Sequence, residues 1–440
     1  MTPYHKSHEQ VKNLSQWLFY LENLHSKEID LGLTRISKVA QRLAVDLSFA
    51  QVITVAGTNG KGTSCAFLEN YLRSENSSVA VYSSPHIECF NERLRINHQD
   101  IDDQSLIVAF EQIEHARSDI SLSYYEFTTL AAFLVLMVQK PQFIILEVGL
   151  GGRLDATNII DADIMLITAI GIDHTNFLGT DRESIGFEKA GIMRSNKTVI
   201  IADLTPPNSV LAHANTIAAH SVVRNKDFIV DIQGSTWSWH YSAQQQSKKE
   251  QKQKQALEYK ISELLLPFIP LDNVASALAV LAILGASLTV QKINNCIEKT
   301  KVAGRMEFFL YDNQAVILDV AHNPQAAEYL ADQLKLKLKA KGYKKITAVV
   351  AMMADKDING ALAPLVDIID TWYLGKLAIE RAASPELLAS TLSQLNQSYN
   401  CFDNVTDAFK MACQQTNKNE LIIVFGSFFT VAAIRPLLLN

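Results

Sequence analysis

Three glycines and a lysine follow a run of β-formers in Val52–Thr63, which reads V-I-T-V-A-G-T-N-G-K-G-T. Val52, Ile53, Thr54 and Val55 read as a strand, and Ser64 to Arg73 has helical spacing with apolar Ala66, Phe67 and Leu72. Strand, glycine-rich turn and helix N-terminus together make an anion site. Backbone N–H groups point outward there, and the helix dipole favours phosphate. Gly57, Gly60 and Gly62 let the backbone approach closely, and Lys61 can reach the β/γ-phosphates of a nucleotide. The match to the general phosphate-loop pattern is imperfect: Val55 stands at the first glycine position, and Gly62 separates Lys61 from the hydroxyl of Thr63. A plain glycine turn with an incidental lysine is the alternative; the flanking strand and helix favour nucleotide binding. A magnesium ion would then need a protein ligand elsewhere than directly after the lysine.

Other strand ends supply polar groups. Val79–Tyr82 ends in S-S-P-H, which leaves Ser84 as a hydroxyl at a carboxyl edge, where open α/β sheets gather ligands. Phe143–Val148 is apolar except for Glu147; a carboxylate in such a strand needs a partner or a metal, and a salt bridge is the structural alternative. G-L-G-G-R-L-D-A-T-N follows, a glycine-rich turn carrying Arg153 and Asp155. The strand-like Asp163–Ile172 stretch ends in Asp173-His174. Lys189, in a helix over Arg182–Ile192, reads as a solvated surface group, and Asn273 reads as the N-cap of a helix over Val274–Leu284. Ile29, Asp30 and Leu31 before a glycine would suit one edge of a pocket.

The elements that must position these groups fall into two sets. With 440 residues, two domains are expected, 1–299 and 300–440, with the boundary near Thr300–Gly304. Beyond it the strand and helix pattern restarts as a second parallel α/β unit. Its strands Ala315–Val320 and Leu421–Phe425 end in D-V-A-H-N-P and F-G-S-F. That unit has no phosphate loop of its own, so it is expected to close over the nucleotide held by the first. The Q/K-rich stretch Ser242–Gln255 reads as a solvated loop. A net charge of -6 gives no reason to expect nucleic acid or membrane partners. The apolar run Leu130–Val138 is too short to span a bilayer. The N-terminus lacks a signal-peptide pattern, and five scattered cysteines without a C-x-x-C pair suggest a reducing cytoplasm and no zinc site.

Taken together, V-A-G-T-N-G-K-G-T, Y-S-S-P-H, L-E-V-G-L-G-G-R-L-D-A-T-N, D-H-T-N-F-L-G, E-K-A-G-I, A-G-R, D-V-A-H-N-P, D-K-D and F-G-S-F resemble, in order, the motifs of the Mur ligase superfamily. Within it they look very like the bifunctional dihydrofolate synthase/folylpolyglutamate synthase family. The resemblance spans about residues 20–432. It implies an α/β fold: an N-terminal phosphate-loop ATPase domain with a mostly parallel sheet, and a smaller C-terminal Rossmann-like domain. It implies a cytoplasmic, monomeric ligase using ATP and magnesium, with two ions. ATP would activate the carboxylate of 7,8-dihydropteroate or a reduced folate as an acyl phosphate for attack by the amine of L-glutamate.

Carried over by position, Gly57, Thr58, Asn59, Gly60, Lys61, Gly62 and Thr63 resemble the ATP-binding turn, joined by Asn273, Arg305 and Asp319. Ser84, Glu147 and His174 resemble magnesium ligands. Lys189 resembles the lysine that is carbamylated in this superfamily, and with Lys61 and His174 it makes up the implied catalytic set. Ile29, Asp30, Leu31, Ser123, Tyr124, Tyr125, Glu126, Leu154, Asp155 and Ala156 resemble the dihydropteroate pocket. His322, Asn323 and Ser427 resemble C-terminal-domain positions near the amino-acid end. Two departures stand out: Asn176 where close relatives carry Asp, and Ala351 in place of a usual glycine. A folylpolyglutamate synthase without the dihydropteroate activity, a phosphate-loop kinase and a non-ligating nucleotide switch remain alternatives.

Overall fold

The structure, a computed structural model, describes residues 13–27, 29–244 and 256–439. It divides into two compact units. The first comprises the described residues to Ser84, Phe90–Ile170 and Arg182–Lys299; the second comprises Pro85–Cys89, Gly171–Asp181 and the residues from Thr300. A single cut along the chain cannot represent the two short segments that pack with the second unit.

The first unit is built on eight strands: β1 (Gln51–Ala56), β2 (Val79–Tyr82), β3 (Leu94–Ile96), β4 (Gln99–Asp100), β5 (Phe143–Glu147), β6 (Ile164–Ile167), β7 (Thr198–Ile201) and β8 (His220–Val223). Their order is β4-β3-β2-β5-β1-β6-β7-β8. All neighbours are parallel except β2–β3 and β3–β4, which form an antiparallel edge. β1 lies inside this sheet and is buried from Val52 to Ala56, which is why it reads as a continuous apolar run instead of an alternation.

A second, antiparallel sheet of β9 (Phe228–Gln233), β10 (Thr236–Gln244) and β11 (Ala256–Leu265) also belongs to this unit. Trp237, Trp239, Tyr241 and Phe228 are buried in one core with the helix Leu271–Ile283 and with Phe67, Leu68 and Leu72 of the helix after β1. Residues 273–282 of that helix are all buried, so its sequence is apolar on every face. Part of the stretch expected as a solvated loop is strand, because β10 continues to Gln244. Antiparallel pairing, such as Ser242 with Glu258, satisfies the backbone without needing an apolar side chain at each position. Residues 245–255 of that stretch lie outside the described residues.

The second unit holds β12 (Glu307–Tyr311), β13 (Gln314–Leu318), β14 (Ile346–Val350), β15 (Thr371–Gly375), β16 (Tyr399–Phe402) and β17 (Leu421–Phe425), ordered β12-β13-β17-β14-β15-β16. All pairings are parallel except β12–β13. The sequence reading omits β12 and β16. Both are edge strands, β12 alternating and β16 largely exposed, and they lack the apolar run that betrays the buried β13, β14 and β17. Both sheets are thus mostly parallel and α/β, as expected. Among the described residues, no helix is long and apolar enough to cross a membrane.

Candidate active site

The helix after β1 begins at Lys61, earlier than its apolar spacing indicates, so the glycine turn runs directly into its N-terminus. The turn is shaped by partners distant in sequence. Thr58 N donates to Ala169 O at 2.8 Å. The Thr168 hydroxyl lies 2.8 Å from Asn59 O and 3.1 Å from Ala56 O. Gly57 has φ 154°, and a Cβ there would sit 1.7 Å from Thr168 Oγ1; at Gly60, φ 95°, it would sit 2.4 Å from Asn273 Oδ1. Only glycine fits either position. Lys61 Nζ curls back onto the loop, donating to Gly57 O at 3.0 Å and Thr58 O at 3.3 Å.

Asn273 departs from the capping expectation. It lies inside the helix Leu271–Ile283, whose N-cap is Pro270, and it is buried. Its Nδ2 donates to Thr63 Oγ1 at 2.7 Å, and Thr63 Oγ1 donates to Gly60 O at 3.0 Å. A buried amide must find partners, and here the glycine turn supplies them. Asn273 therefore braces the turn from 210 positions away in sequence.

β5 lies between β2 and β1, so the chain segments bearing Ser84, Glu147 and the glycine turn leave three successive strands at their carboxyl ends. Glu147 is buried and pairs in register with Val55. Both its carboxylate oxygens lie 3.7 Å from where a Cβ on Gly62 would be. A buried carboxylate beside a phosphate turn suits a hard divalent cation with oxygen ligands. Among the described residues, no group of three or more His, Cys, Asp or Glu gathers in metal-binding fashion; the implied set is one Ser, one Glu and one His. His174 belongs by its packing to the second unit.

Lys189 contradicts the surface reading. The helix Arg182–Ala190 turns Ile185, Gly186, Lys189 and Ala190 inward, and Lys189 is only 3% exposed. Burying a lysine disfavours its charged form unless a partner or a modification compensates.

The segments expected to line an acceptor pocket do different jobs. Asp155 holds its own loop: Oδ2 accepts from Gly149 N and Leu150 N at 3.0 Å each, and Oδ1 accepts from Thr157 N at 3.0 Å and Thr157 Oγ1 at 2.6 Å. Burial pushes its carboxyl up, and these hydrogen bonds oppose that. Ser123 and Glu126 form a capping box that starts the helix Tyr124–Gln139. Tyr124 stacks under the Arg93 guanidinium at 5.6 Å, and burial pushes its phenol up to about 12. Arg35 links two of the expected segments, pairing with Asp30 Oδ2 at 2.6 Å and donating to Glu126 Oε2 at 3.1 Å.

In the second unit, Asp173 lies at the centre of a polar cluster. Asn323 Nδ2 donates to its Oδ2 at 3.2 Å, and His322 Nε2 lies 3.4 Å from the same oxygen. Lys356 Nζ and the backbone N–H of His174 contact its Oδ1. Burial alone would raise the Asp173 carboxyl; the His322 hydrogen bond and the charges of His174, His322 and Lys356 outweigh it and hold the group far below the usual carboxylate range. Asn323 also caps the helix Pro324–Lys341. His174 adopts a left-handed backbone, φ 52°, unusual for a side chain with a Cβ. Asp319 accepts from Met306 N and Ala321 N at 2.8 Å each, tying down the strand entry beside Arg305. Burial pushes the Asp319 carboxyl up, against the Arg305 charge. Arg305 lies over the Phe428 ring at 5.0 Å. Ser427 Oγ accepts from Thr430 N at 3.0 Å, the hydrogen bond of an N-cap.

The Mur ligase middle domain family matches residues 55–284, and the Mur ligase glutamate ligase domain family matches residues 304–428. The chain belongs to the Mur ligase family. An Escherichia coli dihydrofolate synthase/folylpolyglutamate synthase is 41% identical over 96% of this chain and 94% of the relative. The structure resembles that of E. coli FolC in complex with DHPP and ADP, with a TM-score of 0.88, 40% identity and coverage of 97% and 98% of the two chains. It also resembles the bifunctional folylpolyglutamate synthase/dihydrofolate synthase of Yersinia pestis complexed with AMPPNP and Mn, with a TM-score of 0.87, 41% identity and coverage of 98% and 99%. This Mur ligase is therefore a carbon–nitrogen ligase of the dihydrofolate synthase/folylpolyglutamate synthase group.

Several residues that shape the sites of this Mur ligase carry no role in the sequence reading. Thr168 follows β6 and binds the glycine turn, but a threonine at a strand end is an unremarkable residue. Lys356 stands in the D-K-D motif and Asp173 in the Asp-His pair, and nothing local shows that the two meet. His25 and Arg35 flank the Ile29–Leu31 segment on either side, and nothing local shows which carboxylates they meet.

Proposed function

We propose that this chain joins the amine of L-glutamate to the carboxylate of 7,8-dihydropteroate, forming dihydrofolate, and extends reduced folates by further glutamates. ATP supplies the driving reaction: transfer of its γ-phosphoryl group to the acceptor carboxylate gives an acyl phosphate and ADP. Attack by the glutamate amine then gives a tetrahedral intermediate that expels phosphate and leaves the amide. The observation that carries this reading is the phosphate turn with Glu147 beside it, 3.7 Å from the Cβ position of Gly62. Negative charge accumulates on the transferred group, so the protein's task is to supply cations and hold positions.

In this reading the nucleotide lies on Gly57–Thr63, with Asn273 bracing the turn, and the resemblance adds Arg305 and Asp319 as nucleotide contacts. Residues 1–299, apart from the segments 85–89 and 171–181, form the nucleotide, metal and pterin domain, and those segments join 300–440 in the ligase domain. Ser84, Glu147 and His174 would hold magnesium, which supplies charge neutralisation at the phosphates; two ions are expected. Lys61 neutralises the phosphates. Lys189 is carbamylated, which turns a buried cation into an anion able to orient a cation. Ile29–Leu31, Ser123–Glu126 and Leu154–Ala156 surround the dihydropteroate, with Asp155 acting through its loop. His322, Asn323 and Ser427 lie towards the glutamate end. The protein works as a monomer in the cytoplasm.

The test is phosphate release from ATP and magnesium with glutamate and either 7,8-dihydropteroate or a reduced folate. Glutamate-dependent turnover with both acceptors is expected. Turnover with the folate alone would remove the dihydropteroate reaction, and ADP formation without glutamate would indicate a kinase. For Lys189, an Lys189→Ala variant should be poorly active and partly rescued by short carboxylic acids; wild-type activity would exclude the carbamate.

A further inference from the structure

The two acceptor-pocket segments Ile29–Leu31 and Ser123–Glu126 are far apart in sequence, yet two side chains pin them together. Arg35 Nη1 pairs with Asp30 Oδ2 at 2.6 Å, and its Nη2 donates to Asp30 O at 2.8 Å. The same Nη2 reaches Glu126 Oε2 at 3.1 Å, with Nε at 3.4 Å, across 91 positions of sequence. His25 makes a parallel link: Nε2 lies 3.2 Å from Asp30 Oδ2, and Nδ1 lies 2.7 Å from Ser121 Oγ. A neutral imidazole satisfies both, donating from Nε2 to the carboxylate and accepting at Nδ1 from the hydroxyl. The His25 hydrogen bond, followed by the charges of Arg35 and Lys27, holds the Asp30 carboxyl below its ordinary range, against burial.

Glu126 shows what the clasp leaves open. Its Oε2 is taken by Ser123 N at 2.8 Å and by Arg35. Its Oε1 is buried and has no hydrogen-bond partner among the described residues. A buried carboxylate oxygen without a donor is unfavourable by itself, so it is a place for a donor from outside the chain. An N–H on the heterocyclic acceptor has the chemistry required.

We infer that Arg35, seconded by His25, is a positioning residue for the acceptor: it sets the distance between Asp30 and Glu126 and orients Glu126 so that Oε1 can accept from the acceptor's ring. The inference rests on the proposed placement of dihydropteroate at these segments. Arg35 itself need not touch the acceptor. A guanidinium suits the task because its planar fork donates to two carboxylates at once, which a lysine ammonium cannot reproduce.

The experiment is steady-state kinetics of Arg35→Gln and Arg35→Lys with dihydropteroate varied at saturating ATP and glutamate, then with ATP varied. Arg35→Gln should raise KM for dihydropteroate about tenfold, the scale of a lost charge-assisted pair, with kcat and KM for ATP little changed. Arg35→Lys should fall between it and the wild type. In a double-mutant cycle, Arg35→Gln and Asp30→Asn together should raise KM by less than the product of their separate effects, because the two residues share one link. An unchanged acceptor KM in both Arg35 variants overturns the inference. So does a parallel rise in KM for ATP with a lowered melting temperature, which marks a merely structural arginine. Fully additive KM effects in the cycle also overturn it. A wild-type protein that never turns over dihydropteroate defeats the underlying placement, and the clasp with it; wild-type turnover with insensitive variants defeats the clasp alone.

Discussion

The phosphate turn after β1 and the cluster around Asp173 are both polar sites at strand ends, and they are built in opposite ways. The turn presents backbone, and its supports are uncharged: Thr168 and Asn273 hold carbonyls and a hydroxyl, and two glycines make room for them. The Asp173 cluster presents charge. One buried carboxylate meets Lys356, His322 and Asn323, and the backbone only seats them. A site made from backbone dipoles holds its shape at any ordinary pH and fails when sterics change. A site made from buried charge tolerates small steric change and fails when a charge is removed.

The sharpest break should come where the neutral turn carries its one cation. We expect Lys61→Ala to lower ATP-dependent turnover about 10³-fold, the scale of a lost charge-stabilising donor, with the melting temperature nearly unchanged. Wild-type turnover in a phosphate-release assay would remove the turn from the mechanism. Next in size is Asp173→Asn, which leaves Lys356 facing a neutral group and should cost about 3 kcal/mol, as broken buried pairs do. The Asp173 carboxyl is depressed in the folded state, so its contribution is present above the unfolded-state pKa near ~4 and is lost as pH falls below it. Denaturation of chelator-treated protein from neutral to acid pH should show an acid limb in the wild type that is shallower in Asp173→Asn. Identical pH dependences would mean the cluster stores no charge-linked stability.

Smaller effects should separate the turn's supports. Asn273→Ala removes the donor to Thr63 and should weaken nucleotide binding about tenfold, as loss of a buried hydrogen bond does. Calorimetric titration with a non-hydrolysable nucleotide would show it, and unaltered affinity would reduce Asn273 to packing. Smallest is Thr168→Val, worth about 1 kcal/mol through the lost hydroxyl, while Thr168→Ser should keep most of the binding. Equal weakening in both variants would assign the effect to the methyl group.

Much of this architecture was legible in the residues. The buried strands β1, β5, β13, β14 and β17 announce themselves as apolar runs, and the edge strands β12 and β16 do not, because alternating or largely exposed patterns resemble loops. The glycine turn, Ser84 and Glu147 could be picked out because each interrupts the apolar pattern at the end of a strand, whereas His174, seven residues beyond the end of β6, gains its role only through the resemblance. Lys189 and Asn273 read as a surface lysine and a helix cap, and the structure buries both. Their helices bury the faces that carry them, and the sequence around them does not state which face that is.

The sequence by itself determined which elements form and where polar groups interrupt them, because periodicity and glycine placement are local properties of the chain. It determined the family as well, through an ordered set of motifs. Only the tertiary structure decided which polar groups meet. That Asn273 braces Thr63, that Asp155 is spent on its own loop, and that Arg35 spans Asp30 and Glu126 are choices made by packing. The physical reason is that a buried polar atom must be satisfied by whatever the fold brings within about 3 Å, and that distance is set by the sheet order and the helices packed on it, not by separation along the chain.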